Sequence, residues 1–269
     1  MTDVYPGRAY FVCCDARTGS SLLAATLRGV GRAGKPFEYF SKAEIDKPWL
    51  RAELRVPDEA PFTSFPDWRD YILKAGSEMG GVFAASVHFF QLPELVETFR
   101  AGDADPATPA LDVIRGFFPD LRLVWLRRNN IVAQAISHYV AIATQIWNSR
   151  LGQGVKPGES DRGAPYDFEK IDWQVHSAIV ATQGWRNTLK GAEAITMPLA
   201  YEELAADLAG AVRRLCAHVG IDLGDAPVPL PGLEKQAGHW SLDLERRYRD
   251  ERRARGMGPV GDETTIGLR

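Results

Sequence analysis

The chain has 269 residues, with 35 acidic side chains against 32 basic ones, and so a net charge of −3. A near-neutral balance argues against a general nucleic-acid or membrane-surface role, so an anionic ligand would need a local basic cluster. The length suits one α/β domain spanning 1–269, with 256–269 expected as a mobile tail.

Residues 9–14 form an apolar run rich in β-formers within a first strand expected at 8–14, and 20–30 carry helical spacing, with Thr18 or Ser20 available as N-cap. Between them lies the polar turn Asp15-Ala16-Arg17-Thr18-Gly19-Ser20-Ser21. The helix is followed by an aromatic elbow, Gly34-Lys35-Pro36-Phe37-Glu38-Tyr39-Phe40. Residues 41–66 hold four prolines and read as a loop-rich excursion with a short helix near 47–53. A helix is expected at 67–78, a second strand at 81–88, and helices at 92–100 and 110–117. The third strand, 121–128, ends in Arg127-Arg128, and Asn129-Asn130 open a helix expected to run from 131 to 150. Residues 151–165, with four glycines and two prolines, read as a loop and candidate lid. A long helix at 167–191, a strand at 194–200, a helix at 201–220, a Pro-rich loop and a charged helix at 239–255 complete the chain. In that last helix the Asp243/Arg247 and Arg246/Asp250 pairs read as a solvated face.

Alternating strands and helices predict a parallel sheet with helices on both faces, a three-layer α/β sandwich. Ligands in such sheets sit at the carboxyl ends of the strands, and both 15–21 and 127–130 fall there. Cys13, Cys14 and Cys216 have no metal-ligand spacing and read as buried thiols of a reducing compartment. No apolar run approaches the ~20 residues of a membrane span, and the first residues lack the apolar core of a signal peptide. The expected location is the cytoplasm, without stable membrane insertion.

The turn at 15–21 is an anion site by construction. A helix N-terminus leaves its first amide N–H groups unpaired and favours negative charge, and Arg17, Ser20 and Ser21 add donors. The nucleoside-triphosphatase pattern G-x-x-x-x-G-K-[ST] is absent, with no lysine before Ser20. The third strand ends in arginines where a magnesium-binding aspartate would stand. That suits transfer of an already activated group from a nucleotide anion, without a metal. An ATP-dependent small-molecule kinase and a non-catalytic nucleotide-binding regulator remain as alternatives.

The run from Ala16 to Ser21 resembles the 5′-phosphosulfate loop of sulfotransferases, and Arg128 followed nine residues later by Ser137 resembles their 3′-phosphate element. More narrowly, R-T-G-S-S-L-L followed by G-K-P-F-E-Y-F is similar to the bacterial trehalose sulfotransferase family. The likeness continues through W-L-R-R-N-N-I-V-A-Q-A-I-S, A-T-Q-I-W, residues 233–237 and L-E-R-R-Y. The resemblance implies a P-loop-like sulfotransferase fold, 3′-phosphoadenosine 5′-phosphosulfate (PAPS) as co-substrate, a sugar or glycolipid hydroxyl as acceptor, and a homodimer. By position it implies that Arg17, Thr18, Gly19, Ser20 and Ser21 hold the 5′-phosphosulfate and that Arg128 and Ser137 hold the 3′-phosphate. Tyr201 would pack near adenine, and Lys235 and Gln236 would close over the nucleotide. Arg127 would be a salt-bridging neighbour.

Glu38 is implied as general base and Arg17 as stabiliser of the leaving group. The aromatic flanks of Glu38 would partly desolvate it. His88, at the end of the second strand, is the competing base. Two stretches depart from the trehalose enzymes: residues 84–89 replace a G-G-K-L-M-W run, and His138-Tyr139-Val140 replace F-W-R. His88, His138, Tyr139 and Trp147 are therefore candidate acceptor-binding residues.

Overall fold

The computed structural model describes residues 7–41, 47–56, 65–77, 82–100, 105–147, 163–232 and 238–260. Strand β1 (Ala9–Cys14) is buried at every position. Because side chains alternate along a strand, Ala9, Phe11 and Cys13 enter one helical layer, and Tyr10, Val12 and Cys14 enter the other. A run that is apolar on both faces belongs at the centre of a parallel sheet. β1 is central: β2 (Phe83–His88) pairs on one side, and β3 (Leu121–Arg127) followed by β4 (Thr196–Ala200) on the other, all parallel. The order β2-β1-β3-β4 puts a topological switch between β1 and β3, where such sheets bind ligands.

One face of the sheet is covered by α2 (Pro48–Glu53), α3 (Phe65–Ser77), α4 (Leu92–Phe99) and α5 (Ala110–Phe117). Its core is aromatic, with Phe83 stacked on Phe118 at 5.6 Å and Phe11 edge-on to Phe118 at 5.4 Å. The other face is covered by α1 (Ser20–Val30), α8 (Tyr201–Ala206) and α9 (Leu208–His218) through Leu23, Leu27, Leu204 and Leu215. A third cluster joins α6 (Ile131–Thr144), α7 (Phe168–Leu189) and α10 (His239–Ala254). Two layers of helix around a parallel sheet are the expected three-layer architecture.

Three boundaries differ from the sequence reading. Helix α6 stops at Thr144, where Gln145 turns left-handed at φ 59°. The Thr144 hydroxyl bonds back to the Val140 carbonyl (2.8 Å), the kind of local side-chain bond that competes at a helix end. The helix expected at 201–220 is two helices, broken at Asp207, whose carboxylate caps α9 by accepting from the Gly210 N–H at 2.8 Å. Residues 256–260, expected to be loose, fold back: Arg252 donates to the Gly258 carbonyl at 3.0 Å, and Met257 and Val260 pack on the third cluster. Residues 148–162, most of the candidate lid, and 261–269 lie outside the described residues.

Candidate active site

The turn after β1 is held from several sides. Trp185 of α7 donates its indole N–H to the Cys14 carbonyl (2.7 Å), fixing the strand end. The Thr18 hydroxyl donates to the Asp15 carbonyl (2.8 Å), and Gln134 of α6 donates to the Ala16 carbonyl (2.9 Å). Thr18 is buried, so its side chain shapes the loop from inside. Neither Thr18 nor Ser20 caps α1. The cap is Gly19 at φ 93°, with no side-chain hydrogen bond to the helix. A Cβ at Gly19 would come within 2.8 Å of the Tyr201 ring, so only glycine fits both the backbone and the space. The first turn of α1 thus keeps its amide donors free of a side-chain cap, as an anion cradle requires.

Arg17 reaches across to α6. Its Nε donates to Ser137 Oγ at 2.9 Å and its Nη1 to the Trp147 carbonyl at 2.5 Å. Arg128 follows β3, donates to the Arg17 carbonyl at 3.4 Å, and lies over the Tyr201 ring at 4.6 Å. The Arg128 Nε is buried with no hydrogen-bond partner among the described residues. Burial and the neighbouring Arg128 lower the Arg17 pKa to about 10, and burial also lowers that of Arg128. Both stay cationic at neutral pH, so two desolvated positive charges share one crevice. Arg127 lies over the Trp125 ring at 5.4 Å.

Glu38 sits beyond β2, on the other side of β1. Its elbow joins the sheet edge: Phe37 bridges to Ala85, the Phe37 carbonyl accepts from the Ser86 N–H at 2.8 Å, and the Tyr39 carbonyl accepts from the Trp68 indole at 2.6 Å. Phe37, Tyr39 and Phe40 turn into the core, while the Glu38 side chain stays 34 % exposed. One carboxylate oxygen is 3.5 Å from His88 Nε2 and the other accepts from Gln91 at 2.9 Å. The two candidate bases are therefore neighbours. Both act electrostatically on Asp15, whose pKa is raised by burial and then moderated by His88.

The sequence model of the Stf0 sulphotransferase family matches residues 9–251. The chain belongs to that family. It is a sulfotransferase, an enzyme that transfers sulfate, which sets aside the kinase and the non-catalytic regulator. It is 28 % identical over 269 aligned residues to a trehalose 2-sulfotransferase of Mycolicibacterium smegmatis, covering 93 % of this chain and 97 % of the relative. The likeness to a trehalose 2-sulfotransferase of Mycobacterium tuberculosis is also 28 %, over 91 % of this chain and 95 % of that one. A sulfotransferase structure from Alicyclobacillus acidocaldarius aligns with 16 % identity and a TM-score of 0.47, over 93 % of this chain and 96 % of that chain.

The sulfotransferase has an open cleft of about 520 Å³ beside the loop, with Asp15, Ala16, His138, Phe90, Trp173 and Val180 among its lining residues. Burial, then Arg17 and His88, lower the His138 pKa to about 4, so its ring is neutral at pH 7. The ring meets Trp147 edge-on at 5.8 Å. Tyr139 is not on the cleft: it is buried in the third cluster, and its hydroxyl donates to the Pro165 carbonyl. Lys235 and Gln236 lie outside the described residues.

Sequence reasoning passed over Gln134, Gln91, Glu202 and Glu245. Glu202 accepts from the Asn129 and Asn130 N–H groups (3.1 and 3.3 Å), and Glu245 accepts from the Asn130 side chain (3.1 Å), so both hold the chain just after Arg128. Gln134 had a readable signal, since it stands three residues before Ser137 on the same helical face. Among the described residues no group of three or more His, Cys, Asp or Glu could hold a metal ion, and no helix is long and apolar enough to cross a membrane.

Proposed function

We propose that this sulfotransferase moves a sulfuryl group from PAPS to a hydroxyl of a carbohydrate or glycolipid-type acceptor by a single in-line displacement. The observation that carries it is the crevice at the switch point, where Arg17 and Arg128 converge on an uncapped helix N-terminus and Glu38 waits across β1. Two desolvated guanidiniums and a buried Arg128 Nε with no hydrogen-bond partner among the described residues fit a ligand carrying two separate phosphate groups. The loop at 17–21 would hold the 5′ end and Arg128 with Ser137 the 3′-phosphate, while Tyr201 offers a ring beside both. PAPS supplies an activated sulfuryl group whose loss leaves adenosine 3′,5′-bisphosphate. Glu38 takes the acceptor's proton as the new O–S bond forms and the S–O bond to phosphate breaks, a contribution of roughly 10²–10⁴-fold in rate. Arg17 stabilises the charge that builds on the departing phosphate.

His88 and Gln91 orient the Glu38 carboxylate, one at each oxygen. The acceptor class is in keeping with relatives named for trehalose. The three buried free cysteines suit a cytoplasmic location. A homodimer rests on the family likeness, and sedimentation velocity tests it.

Titration with adenosine 3′,5′-bisphosphate against ATP, followed by turnover of Glu38→Gln, decides the reading. The bisphosphate is expected to bind in preference to ATP. The variant should lose roughly 10²–10⁴-fold in kcat while keeping its nucleotide affinity. A protein that ignores the bisphosphate, or a Glu38→Gln enzyme with full kcat, would overturn it.

A further inference from the structure

Three of the seven large apolar side chains exposed among the described residues, Phe90 (58 %), Trp173 (65 %) and Val180 (51 %), stand together on the cleft beside the anion loop. Trp173 and Val180 are two turns apart on α7, so they share one helical face. Phe90 sits in the 3₁₀ turn Phe89–Gln91, which is locked to α7. The Phe89 ring fills the space over Gly184, where a Cβ would lie only 2.0 Å from it, and meets Trp185 edge-on at 5.9 Å. The apolar rim is therefore built on a rigid support.

Polar groups also line the cleft. Asp15, His138 and Gln174 are among them, Gln174 bonds to the His138 ring, and Asp15 lies within the electrostatic reach of Glu38 and His88. His176 and Ser177 add further polar groups to the lining of the cleft. Its volume of about 520 Å³ lies within the usual ~300–1,000 Å³ of small-molecule sites.

We propose that this cleft binds the acceptor and selects an alkyl or aryl glycoside, its hydroxyl end at Asp15 and His138 and its apolar arm along Phe90, Trp173 and Val180. The inference rests on the sulfotransferase reading above. A bare sugar meets the polar lining and leaves the apolar rim in water. An alkyl arm removes that rim from water and gains affinity in proportion to the area covered.

The test compares octyl β-D-glucoside, below its micelle concentration, with methyl β-D-glucoside. Binding of each to the full chain is measured by calorimetry, with and without adenosine 3′,5′-bisphosphate, and turnover with PAPS is measured beside it. The octyl glycoside should bind about tenfold tighter or better, since even two or three buried methylenes supply that factor. Trp173→Ser and Phe90→Ser should each bring the octyl-to-methyl ratio toward one. Leu230→Ser, at an 81 % exposed apolar residue outside the cleft, should leave the ratio unchanged.

Equal affinities in the wild type would overturn the proposal. So would a ratio that survives both cleft substitutions. A dimer that Trp173→Ser converts to monomer, with the octyl preference intact, would assign the rim to a second copy of the chain and would equally overturn it. Failure of the bisphosphate to bind would sink the sulfotransferase chemistry instead, and the glycoside ratio on the unloaded protein is read separately from it.

Discussion

The Nε of Arg17 lies 2.9 Å from Ser137 Oγ, so one hydrogen bond joins the loop after β1 to the helix after β3. The same guanidinium donates to the Trp147 carbonyl, and Arg128 donates back to the Arg17 carbonyl. The two halves of the anion crevice are thus coupled through one side chain. Lysine cannot reproduce a planar fork that reaches two acceptors at once. Arg17→Lys should therefore weaken adenosine 3′,5′-bisphosphate binding by about 10–100-fold, the worth of one or two charge-assisted hydrogen bonds. Ser137→Ala should cost up to about tenfold. Because the residues touch, the double variant should lose less than the product of the two. Calorimetry measures all three, and an Arg17→Lys protein with wild-type affinity would remove the loop from the nucleotide site.

Glu38 is placed by its neighbours' backbone. The carbonyl before it is held by Ser86 and the carbonyl after it by Trp68. Trp68→Phe keeps an aromatic ring in a fully buried position and deletes only the indole contacts, including the bond to Tyr39. The variant should be destabilised by about 1–3 kcal/mol. Its kcat should fall about ten- to a hundredfold, because small errors in the position of a reacting group are costly. Bisphosphate affinity should hold, since the Trp68 indole holds the elbow. A kcat unchanged within twofold would mean that the elbow does not set the position of Glu38.

The layer order was legible because it depends on local pattern. The run at 9–14 is apolar on both faces and could only be a central strand, and the charged ends of the neighbouring first and third strands converge as that topology requires. The turn at 15–21 was legible for the same reason, since a strand, a Gly-containing turn and a helix N-terminus are contiguous. The pairing of Glu38 with His88 was not, because it depends on the Phe37–Ala85 bridge that joins segments 48 residues apart. The break at Asp207 was hidden by helix-compatible residues on both sides, and only the carboxylate's choice of the Gly210 N–H reveals it. Tyr139 was misplaced because helical spacing gives a face but not its partner, and its face meets α7 and α10.

Helix α10 is tied to α7 by an exposed Arg255–Glu169 pair at 2.6 Å and by one buried clamp. Asp172 accepts from the Tyr248 hydroxyl at 2.5 Å and from Arg252 at 2.7 Å, with both members of the ion pair mostly buried. The outer pairs Arg246–Asp243 and Arg246–Asp250 are exposed and should matter little. Removing one partner of a buried pair leaves the other charge uncompensated. Arg252→Met should therefore cost about 2–4 kcal/mol in urea unfolding, against less than about 1 kcal/mol for Arg246→Met. Equal costs at the two sites would show that the clamp is no stronger than a surface pair.

His138 links the cleft beside the loop to the pH dependence of stability. Its folded pKa of about 4 lies below the ordinary value of 6.5, because burial and the neighbouring Arg17 and His88 disfavour the imidazolium. Between those values the unfolded chain binds a proton that the folded chain does not, so stability falls as pH drops through this window and levels off near pH 4. Asp15 acts in the opposite sense above pH 3.8, since its raised pKa lets the folded chain hold a proton that the unfolded chain has lost. His138→Gln removes the first effect and keeps the second. With partial solvent screening, the wild type should lose about 1–2 kcal/mol more than this variant between pH 7 and pH 5. Urea unfolding of both proteins at the two pH values gives the difference directly, and parallel losses would show that His138 titrates alike in the folded and unfolded chain.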